Sequence, residues 1–345
     1  MIENLPRVSI VINSYKDLCK LESCVSAIEK IQYNNKEVIV ISHGISEKAI
    51  KTSEIDSYID KLILLDQDLG APAQRNIGFK ARDNRSKYIL FVDNDVLLTE
   101  STIENLVRVL EMYPNIGIAQ PLSVTSNGFV DCAGALIDSL GHSYAPFRGT
   151  RVSLFKAKAD YIPVSYSTTA CLVLRVSFFS KDKCFQPFDE TLYFNYEDVD
   201  LSLRSWLRGI KVVCAPSAIV VHEKGRTAAL RRSPRYLVYL NTRNKFITLT
   251  SVLNLKTLFT YVPLFIVFES MKAVCLLGIN SLHTLSMFKA ILWCLQNLRR
   301  IHIRRKFVLE TAVENNMLPI VINKPCFSAL ISAFKAHYSP SRKLS

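Results

Sequence analysis

The first 120 residues alternate between short apolar runs and stretches with apolar residues at helical spacing. The apolar runs are rich in β-branched residues, and the early ones are almost continuously apolar, as in strands that are buried on both faces. The candidate strands are 7–15, 36–43, 60–67, 87–95 and 116–124, and the candidate helices between them are 17–30, about 72–82 and 101–113. This alternation predicts βαβ units and an α/β fold built on a mainly parallel sheet.

Beyond residue 125 the apolar segments become shorter and are separated by glycines. The pattern predicts a strand that runs into a helix over 159–179, a short amphipathic helix over 196–209, and a strand, a turn and a second strand over 211–223. The globular part of the chain therefore continues well past the alternating region.

From about residue 255 the chain forms apolar helices that are interrupted by charge. The uncharged run 257–268 has 12 residues and contains Pro263, whereas a spanning helix needs roughly 20 apolar residues. We therefore expect amphipathic helices that lie in the plane of a membrane. If the helices are longer than this pattern indicates, the alternative is that two of them form a hairpin in the bilayer.

The positive charge is concentrated in one part of the chain. The formal net charge is +13, and residues 226–310 hold 14 Lys/Arg against two acidic residues, a net +12. This asymmetry predicts two regions, a globular domain over 1–225 and a basic, apolar helical region over 226–345. Such a segment binds phosphates of lipid or of nucleic acid. Because apolar helices are interleaved with the charges, we expect an anionic membrane surface and no nucleic acid.

Cysteine usage and the N-terminus indicate the compartment. The nine cysteines are scattered, with no C-x-x-C pair, which is typical of a reducing cytoplasm. The N-terminal segment lacks a basic stretch followed by a long apolar run, so we do not expect it to be a signal peptide. We expect the protein at the cytoplasmic face of a membrane.

Polar residues follow two of the predicted strands. Asp93, Asn94 and Asp95 come directly after the apolar run of "KYILFVDND". Ligands of parallel sheets bind beyond the carboxyl ends of the strands, and Asp-x-Asp supplies the hard oxygen ligands of Mg²⁺ or Mn²⁺. The alternative is turn chemistry, because Asp and Asn satisfy local backbone groups after strands. His222, which ends "AIVVH", is either structural or a ligand that joins Asp95 if the two strand ends converge.

Acidic residues also open the predicted helix 196–209, where Glu197, Asp198 and Asp200 lie near its first turn. The structural interpretation is that carboxylates there are favoured by the helix dipole. The functional interpretation is a general base for an acceptor hydroxyl. Arg204 is spaced to pair with Asp200 at i, i+4, which would leave Asp198 for chemistry.

Two further segments could face phosphates. The loop "GAPAQRNIG" (70–78) would present Arg75 and Asn76 to a cleft, or it is an ordinary helix start with a proline in the first turn. Arg243 and Lys245 could close over a leaving diphosphate, or they belong to a solvated basic face.

In their order and spacing these motifs resemble the family 2 glycosyltransferases, nucleotide-diphospho-sugar transferases with the GT-A fold. The resemblance covers residues 7 to about 245. "VSIVINSY" is similar to the family's first strand and base-binding turn, and "GAPAQRNIG" to its G-x-x-x-x-R-N-x-G loop. "FVDND" is similar to its D-x-D element, "YEDVDLSLR" to its acceptor-side E-D motif, and "VVH" to the strand whose histidine completes the metal shell.

The resemblance implies a Rossmann-like GT-A sheet flanked by helices and an inverting, metal-dependent glycosyl transfer. It implies that Asp198 is the catalytic base and that Mg or Mn is held by Asp95, Asp93 and His222. The expected contacts to the nucleotide-sugar donor are Asn13, Tyr15, Arg75, Asn76, Asp93, Asn94, Arg243 and Lys245, with Glu197 and Asp200 on the acceptor side.

The C-terminal region suggests the acceptor, since basic amphipathic helices suit a membrane-bound glycan, either lipid-linked or a polysaccharide. Two other hypotheses remain. A catalytically silent family member could act as a membrane scaffold, although the acidic motifs and His222 are retained. A nucleic-acid-binding protein could use the basic stretch, although the apolar helices favour lipid.

Overall fold

A mixed β-sheet forms the centre of the protein. The computed structural model describes residues 5–138, 140–157, 159–180, 186–223, 233–277, 281–313 and 321–322. The strands are β1 (Val8–Tyr15), β2 (Lys36–His43), β3 (Lys61–Leu65), β4 (Tyr88–Asp93), β5 (Val96–Leu98), β6 (Ile116–Val124), β7 (Val130–Cys132), β8 (Leu136–Asp138), β9 (Ser143–Tyr144), β10 (Ile162–Pro163), β11 (Cys171–Arg175), β12 (Lys211–His222) and β13 (Val321–Ile322). The helices are α1 (Leu18–Glu29), α2 (Glu47–Lys51), α3 (Ala71–Ala81), α4 (Thr102–Met112), α5 (Glu197–Leu207), α6 (Pro234–Val252), α7 (Leu255–Leu277), α8 (Ser281–Gln296) and α9 (Leu298–Glu310).

The main sheet has the strand order β10-β12-β6-β11-β4-β1-β2-β3, with β5 paired to β12 and β7 paired to β6. The strands β4, β1, β2 and β3 are parallel, as predicted, and β11 lies antiparallel between β4 and β6. In the pairing of β1 with β4, Asn13 lies opposite Asp93. The polar ends of the two strands therefore meet at one edge of the sheet.

Both faces of the sheet are covered by helices. Successive side chains of a strand point to opposite faces, so Ile10 and Ile12 of β1 pack with Leu21 of α1. Val11 points the other way and belongs to a cluster with Phe79 of α3. Burial on both faces explains why the predicted strands are continuously apolar.

Two local predictions were wrong. The stretch 159–179 contains β10 and β11 and then a 3-10 turn at Val176–Phe178, without the predicted α-helix. The stretch 211–223 holds one strand, β12, where a strand, a turn and a second strand were expected. The pairing of β12 with β6 shifts between Ala215 and Ile219, and this irregularity accommodates Pro216 without a turn.

A third hydrophobic cluster joins α5 to the C-terminal helices. It contains Leu203 of α5, Phe246 of α6 and Phe265 of α7, together with residues of α8 and α9. The division into 1–225 and 226–345 remains a prediction, and the shared cluster means that the C-terminal helices contact the acidic helix α5.

One helix among the described residues is long and apolar enough to cross a membrane, by length and composition. It is Leu255–Leu276, with 22% of its apolar window buried. Pro263 lies inside it. Its acidic residue, Glu269, lies 2.5 Å from Nζ of Lys245. Three of the basic residues counted above, Arg226, Arg231 and Arg232, lie outside the described residues.

Gly78 of α3 packs directly on β1, and this contact is testable. A Cβ atom at position 78 would lie 2.3 Å from Cγ1 of the fully buried Val11. We expect Gly78→Ala to lower the free energy of unfolding by about 1–3 kcal/mol, because overpacking outweighs the gain in helix propensity. Denaturant unfolding measures this change. The double variant Val11→Ala/Gly78→Ala should cost less than the sum of its single variants, and additive costs would contradict the packing explanation.

Candidate active site

A cleft with a volume of about 310 Å³ opens at the carboxyl ends of β1 and β4. All thirteen predicted site residues are described, and nine of them line the cleft: Asn13, Tyr15, Arg75, Asp93, Asn94, Asp95, Glu197, Asp198 and His222. The other lining residues are Ala71, Gln74, Thr168, Thr169, Ala170, Phe194, Asn195 and Tyr196. Four predicted residues lie elsewhere, and these are Asn76, Asp200, Arg243 and Lys245.

The guanidinium of Arg75 connects two acidic motifs. Arg75 is 2% exposed, and its Nη2 donates to Oδ1 of Asp93 at 2.9 Å. Its Nη1 donates to Oε1 of Glu197 at 3.2 Å, and Nη2 also reaches the carbonyl of Thr169 at 3.3 Å. Arg75 therefore faces the cleft, as expected, with its charge opposed by two carboxylates.

Asp95 and His222 come together, as the sequence suggested. His222 pairs with Val96 in the ladder between β12 and β5, which places the preceding Asp95 beside the imidazole. Nε2 of His222 lies 3.6 Å from Oδ1 of Asp95, and Nδ1 lies 2.9 Å from Oδ2 of Asp131. Burial lowers the pKa of His222, but the hydrogen bonds with Asp131 and Asp95 outweigh it and raise the pKa to about 9.

The predicted three-residue metal shell is not assembled. Within the described part of the chain, no three His, Cys, Asp or Glu side chains are grouped so as to hold a metal ion. Asp93 is paired with Arg75, and Nζ of Lys20 lies 3.8 Å from Oδ2 of Asp95. A carboxylate oxygen and an imidazole nitrogen at the cleft still suit Mn²⁺ or Mg²⁺. The donor set therefore fits a divalent ion through Asp95 and His222.

Asp198 presents a carboxyl to the cleft. It lies in the first turn of α5 and is half-buried. Burial, together with the charge of Glu197, raises the pKa of its carboxyl to about 7. Its Oδ1 accepts a hydrogen bond from the N–H of Val199 at 2.8 Å. A carboxyl in a cleft that titrates near neutral pH can accept a proton from a substrate hydroxyl.

Asp200 and Asn76 support the fold around the cleft, contrary to the expectation that they face a ligand. Asp200 is fully buried, and its two oxygens accept from Nε of Arg204 at 2.7 Å and from Nη2 of Arg304 at 2.5 Å. The pairing with Arg204 was predicted. Asn76 donates to the carbonyl of Phe188 at 2.8 Å and accepts from its N–H at 3.1 Å. Both side chains are thus engaged by protein groups.

The predicted diphosphate clamp lies inside helix α6. Lys245 is buried, and its Nζ pairs with Oε1 of Glu269. Arg243 donates through Nη2 to the carbonyls of Thr191 and Leu192 at 2.9 and 3.2 Å. Their positions do not support contact with a diphosphate, because both cations are directed to protein groups outside the cleft.

The loop before α5 has an unusual backbone. Tyr193, Asn195 and Tyr196 have φ angles of 63°, 66° and 69°, a region in which each non-glycine residue costs of order 1–3 kcal/mol. Phe194, Asn195 and Tyr196 line the cleft, and α5 begins at the next residue. The carbonyl of Tyr193 accepts from the N–H of Ala71 at 3.0 Å, so the loop also contacts the start of α3.

The last residues of β1 provide polar and aromatic groups to the cleft. Both amide atoms of Asn13 are buried without a hydrogen-bond partner among the described residues. The ring of Tyr15 lies 5.5 Å from that of His43, centroid to centroid. Asn94 donates to the hydroxyl of Ser14 at 3.3 Å. A few directed polar groups beside an aromatic ring are typical of a site for a small organic ligand.

Sequence reasoning missed Asp131 and Asn244. Asp131 lies in the short strand β7, within a region that carries no recognisable motif, and only its contact with His222 reveals it. Asn244 lies between the basic residues Arg243 and Lys245, and the sequence interpretation considered only these two. The feature that could have indicated it is an uncharged amide between two basic residues, in a helix whose central residues are buried.

Comparison with known proteins shows the family of the chain. The family model described as "Glycosyltransferase like family 2" matches residues 6–237. The O-antigen biosynthesis protein RfbC of Myxococcus xanthus is 24% identical over 254 residues, 69% of this chain and 19% of its own length. An uncharacterized glycosyltransferase of Haemophilus influenzae is 30% identical over 112 residues, 31% of this chain and 43% of its own length. The chain spans less than half the length of these curated relatives.

Solved structures share the fold at low sequence identity. GalNAc-T7 with UDP, GalNAc and Mn²⁺ has a TM-score of 0.56 and 16% identity, covering 86% of this chain and 57% of that one. S. aureus TarS 1–349 with UDP-GlcNAc has a TM-score of 0.53 and 12% identity, covering 88% and 89%. From the family match over most of its length, together with the GT-A fold, the chain belongs to glycosyltransferase family 2.

Proposed function

We propose that the protein transfers a sugar from a nucleotide-diphospho-sugar to an acceptor hydroxyl, with inversion at the anomeric carbon and with a divalent metal ion. The observation that carries the proposal is a single cleft lined by the Asp95–His222 pair and by Asp198, whose pKa is raised to about 7. Structural relatives solved with UDP, GalNAc and Mn²⁺ or with UDP-GlcNAc support this class of donor.

Inversion requires a base on the side of the anomeric carbon opposite the leaving group. Asp198 accepts the proton of the acceptor hydroxyl while the hydroxyl oxygen forms its bond to that carbon. The bond between the carbon and the diphosphate oxygen breaks, and its electron pair leaves with the nucleoside diphosphate. A metal ion held by Asp95 and His222 would supply positive charge to this leaving group. Arg75 holds Glu197 next to Asp198, and the charge of Glu197 keeps Asp198 basic.

The nucleoside end of the donor fits the end of β1. Asn13 offers a buried donor and acceptor that the described residues leave unused, and Tyr15 offers an aromatic surface. Asn94 lies beside the end of β1 through its contact with Ser14. We assign Asn13, Tyr15 and Asn94 to the nucleoside, and Asp93 with Arg75 to the ribose and phosphate region.

The acceptor is a membrane-bound glycan, lipid-linked or a polysaccharide, and the enzyme works at the cytoplasmic face of a membrane. The relative named for O-antigen biosynthesis supports a surface glycan. The exposed side of α7 supports the membrane, because Phe259, Val267 and Met271 on it are 80%, 52% and 58% exposed. Exposed apolar residues continue along α8 at Leu285 and Leu292.

The helices lie in the membrane plane under this proposal. The other side of α7 packs on the protein, where Tyr261, Phe265 and Glu269 are each 2% exposed. A helix with one protein-facing side and one apolar exposed side suits the interface between headgroups and acyl chains. Exposed basic residues lie on α7, α8 and α9 and favour anionic lipid; these are Lys256, Lys289, Arg299, Arg300 and Lys306.

Replacing the proposed base tests the mechanism. We expect Asp198→Asn to lower the turnover number by about 10²–10⁴-fold, because the amide cannot accept the proton. In the wild type the rate should rise as the pH increases through about 7, since Asp198 must lose its proton to act. Donor consumption as a function of pH measures both effects, and NMR of the product gives the anomeric configuration.

The same variant should bind the nucleoside diphosphate as tightly as the wild type. Undiminished turnover in Asp198→Asn, or retention of configuration in the product, would refute the mechanism.

The metal site is tested by calorimetric binding of UDP, GDP, dTDP and CDP, each with and without Mn²⁺. We expect one nucleotide to bind in a metal-dependent way and Asp95→Ala to abolish the metal effect. Asp131→Asn should weaken the metal-dependent affinity by about 10–100-fold, because Asp131 orients the imidazole of His222.

Asp138→Asn is the matched control. Asp138 pairs with Nδ1 of His142 at 3.1 Å, and neither residue lines the cleft among the described residues. This variant should leave the metal effect intact. Two results would contradict a metal site at Asp95 and His222. One is an equal loss of metal-dependent nucleotide affinity in Asp131→Asn and Asp138→Asn, and the other is a metal effect on nucleotide binding that survives Asp95→Ala.

Membrane docking is tested with the full chain and vesicles that contain anionic phospholipid. The triple variant Phe259→Gln/Val267→Gln/Met271→Gln should lose most of its vesicle binding, because each apolar side chain contributes to burial in the interface. High salt should weaken wild-type binding, since the basic residues attract the anionic surface. Co-flotation with vesicles measures the bound fraction.

The control variant Met112→Gln/Leu154→Gln changes exposed apolar residues outside α6–α9, 56% and 70% exposed, and should bind normally. Recovery of the wild type in the soluble fraction at low salt with vesicles present would count against docking. Resistance to alkaline extraction would instead indicate that α7 crosses the bilayer.

A further inference from the structure

The side chain of Asn244 is directed at the strained loop before α5. Asn244 lies in the middle of α6 and is 0% exposed. Its Nδ2 lies 2.8 Å from the carbonyl oxygen of Leu192, 2.9 Å from that of Phe194 and 2.8 Å from that of Asn195. The two N–H donors of this amide are therefore shared among three carbonyls of the loop. This is the loop in which three non-glycine residues have positive φ angles.

Arg243 holds this amide in place. Its Nε and Nη2 donate to Oδ1 of Asn244 at 2.9 and 2.8 Å, so the Asn244 amide is oriented with its nitrogen towards the loop. The guanidinium also donates to the carbonyls of Thr191 and Leu192 and lies over the ring of Trp293 at 5.3 Å. We call Arg243 and Asn244 together the loop bracket.

The loop in turn determines where α5 begins. Tyr196 precedes the helix with φ of 69° and makes no side-chain capping hydrogen bond. Its hydroxyl donates to the carbonyl of Gly141 at 2.6 Å. Glu197 and Asp198 follow directly, so a change in the path of the loop would move both carboxylates in the cleft.

We propose that Asn244 is a positioning residue for the acceptor-side carboxylates, and that Arg243 supports it. Asn244 acts through the loop carbonyls and touches neither the diphosphate nor the metal ion. This inference rests on the proposed role of Asp198 as the base. Under this inference, α6 does not clamp a diphosphate. It holds the loop that positions Glu197 and Asp198.

The test compares Asn244→Asp with Thr250→Val. Asn244→Asp keeps the size of the side chain but removes the donors, and Thr250→Val removes a hydroxyl of the same buried helix that bonds only within α6. Calorimetry with UDP or GDP and Mn²⁺ measures nucleotide affinity at the donor site. Release of nucleoside diphosphate from the corresponding nucleotide sugar reports turnover. Amide hydrogen exchange over residues 192–200 reports the loop.

We expect Asn244→Asp to lower turnover by about 10–100-fold, because small displacements of catalytic groups have effects of this size. Nucleotide affinity should change by less than about threefold, and exchange over 192–200 should accelerate. The pH at which turnover rises should move below about 7, since a looser loop hydrates Asp198. Thr250→Val should match the wild type in all of these measurements.

Arg243→Lys provides a second variant if Asn244→Asp does not fold. It retains the charge but not the fork that holds Oδ1 of Asn244, and it should change turnover and exchange in the same direction to a smaller extent. Nucleotide affinity that falls in parallel with turnover would restore the clamp hypothesis. Unchanged exchange over 192–200 would also overturn the proposal. If the wild type transfers no sugar, the proposed function fails, and the exchange measurement still decides whether the bracket holds the loop.

Discussion

A buried guanidinium requires carboxylates to balance its charge, and at Arg75 this requirement organises the cleft. Its partners, Asp93 and Glu197, lie 18 and 122 residues away in the chain. Breaking a buried ion pair by removing one member costs about 3–5 kcal/mol. The end of β4, the helix α3 and the start of α5 are therefore fixed relative to one another. The single positive charge of Arg75 offsets part of the charge of these two carboxylates, and burial together with the charge of Glu197 still raises the pKa of Asp198.

A second arginine, Arg304, connects the elements around the cleft to the C-terminal helices. Arg304 of α9 pairs with Asp189 at 2.7 Å and with Asp200 at 2.5 Å, on the two sides of the strained loop. Residues of α5–α9 share one hydrophobic cluster. The C-terminal helices thus have two different surfaces. Their inner side stabilises the site through buried ion pairs and apolar packing, and their outer side presents apolar and basic residues to the surroundings.

The first 120 residues were predictable because strands buried on both faces leave continuous apolar runs. The positions of residues 93–95 and of His222 were predictable for the same reason. Each follows an apolar strand, and the carboxyl ends of parallel strands lie at the same edge of the sheet. Asp131 was not predictable, because its strand has three residues and its partner His222 is 91 residues away. Lys245 was misplaced for another reason. Lysine usually indicates exposure, and only the distant Glu269 makes its burial possible.

The neighbouring residues Asn244 and Lys245 make α6 the link between the loop before α5 and the apolar helix α7. Asn244 donates to the carbonyl of Leu192 in the loop, and Lys245 pairs with Glu269 of α7. A chimaera joined between the loop and α6 would separate Asn244 from its carbonyls, and one joined between α6 and α7 would leave a buried ammonium without its carboxylate. Chimaeras of this chain should therefore exchange the segment 192–269 as one block.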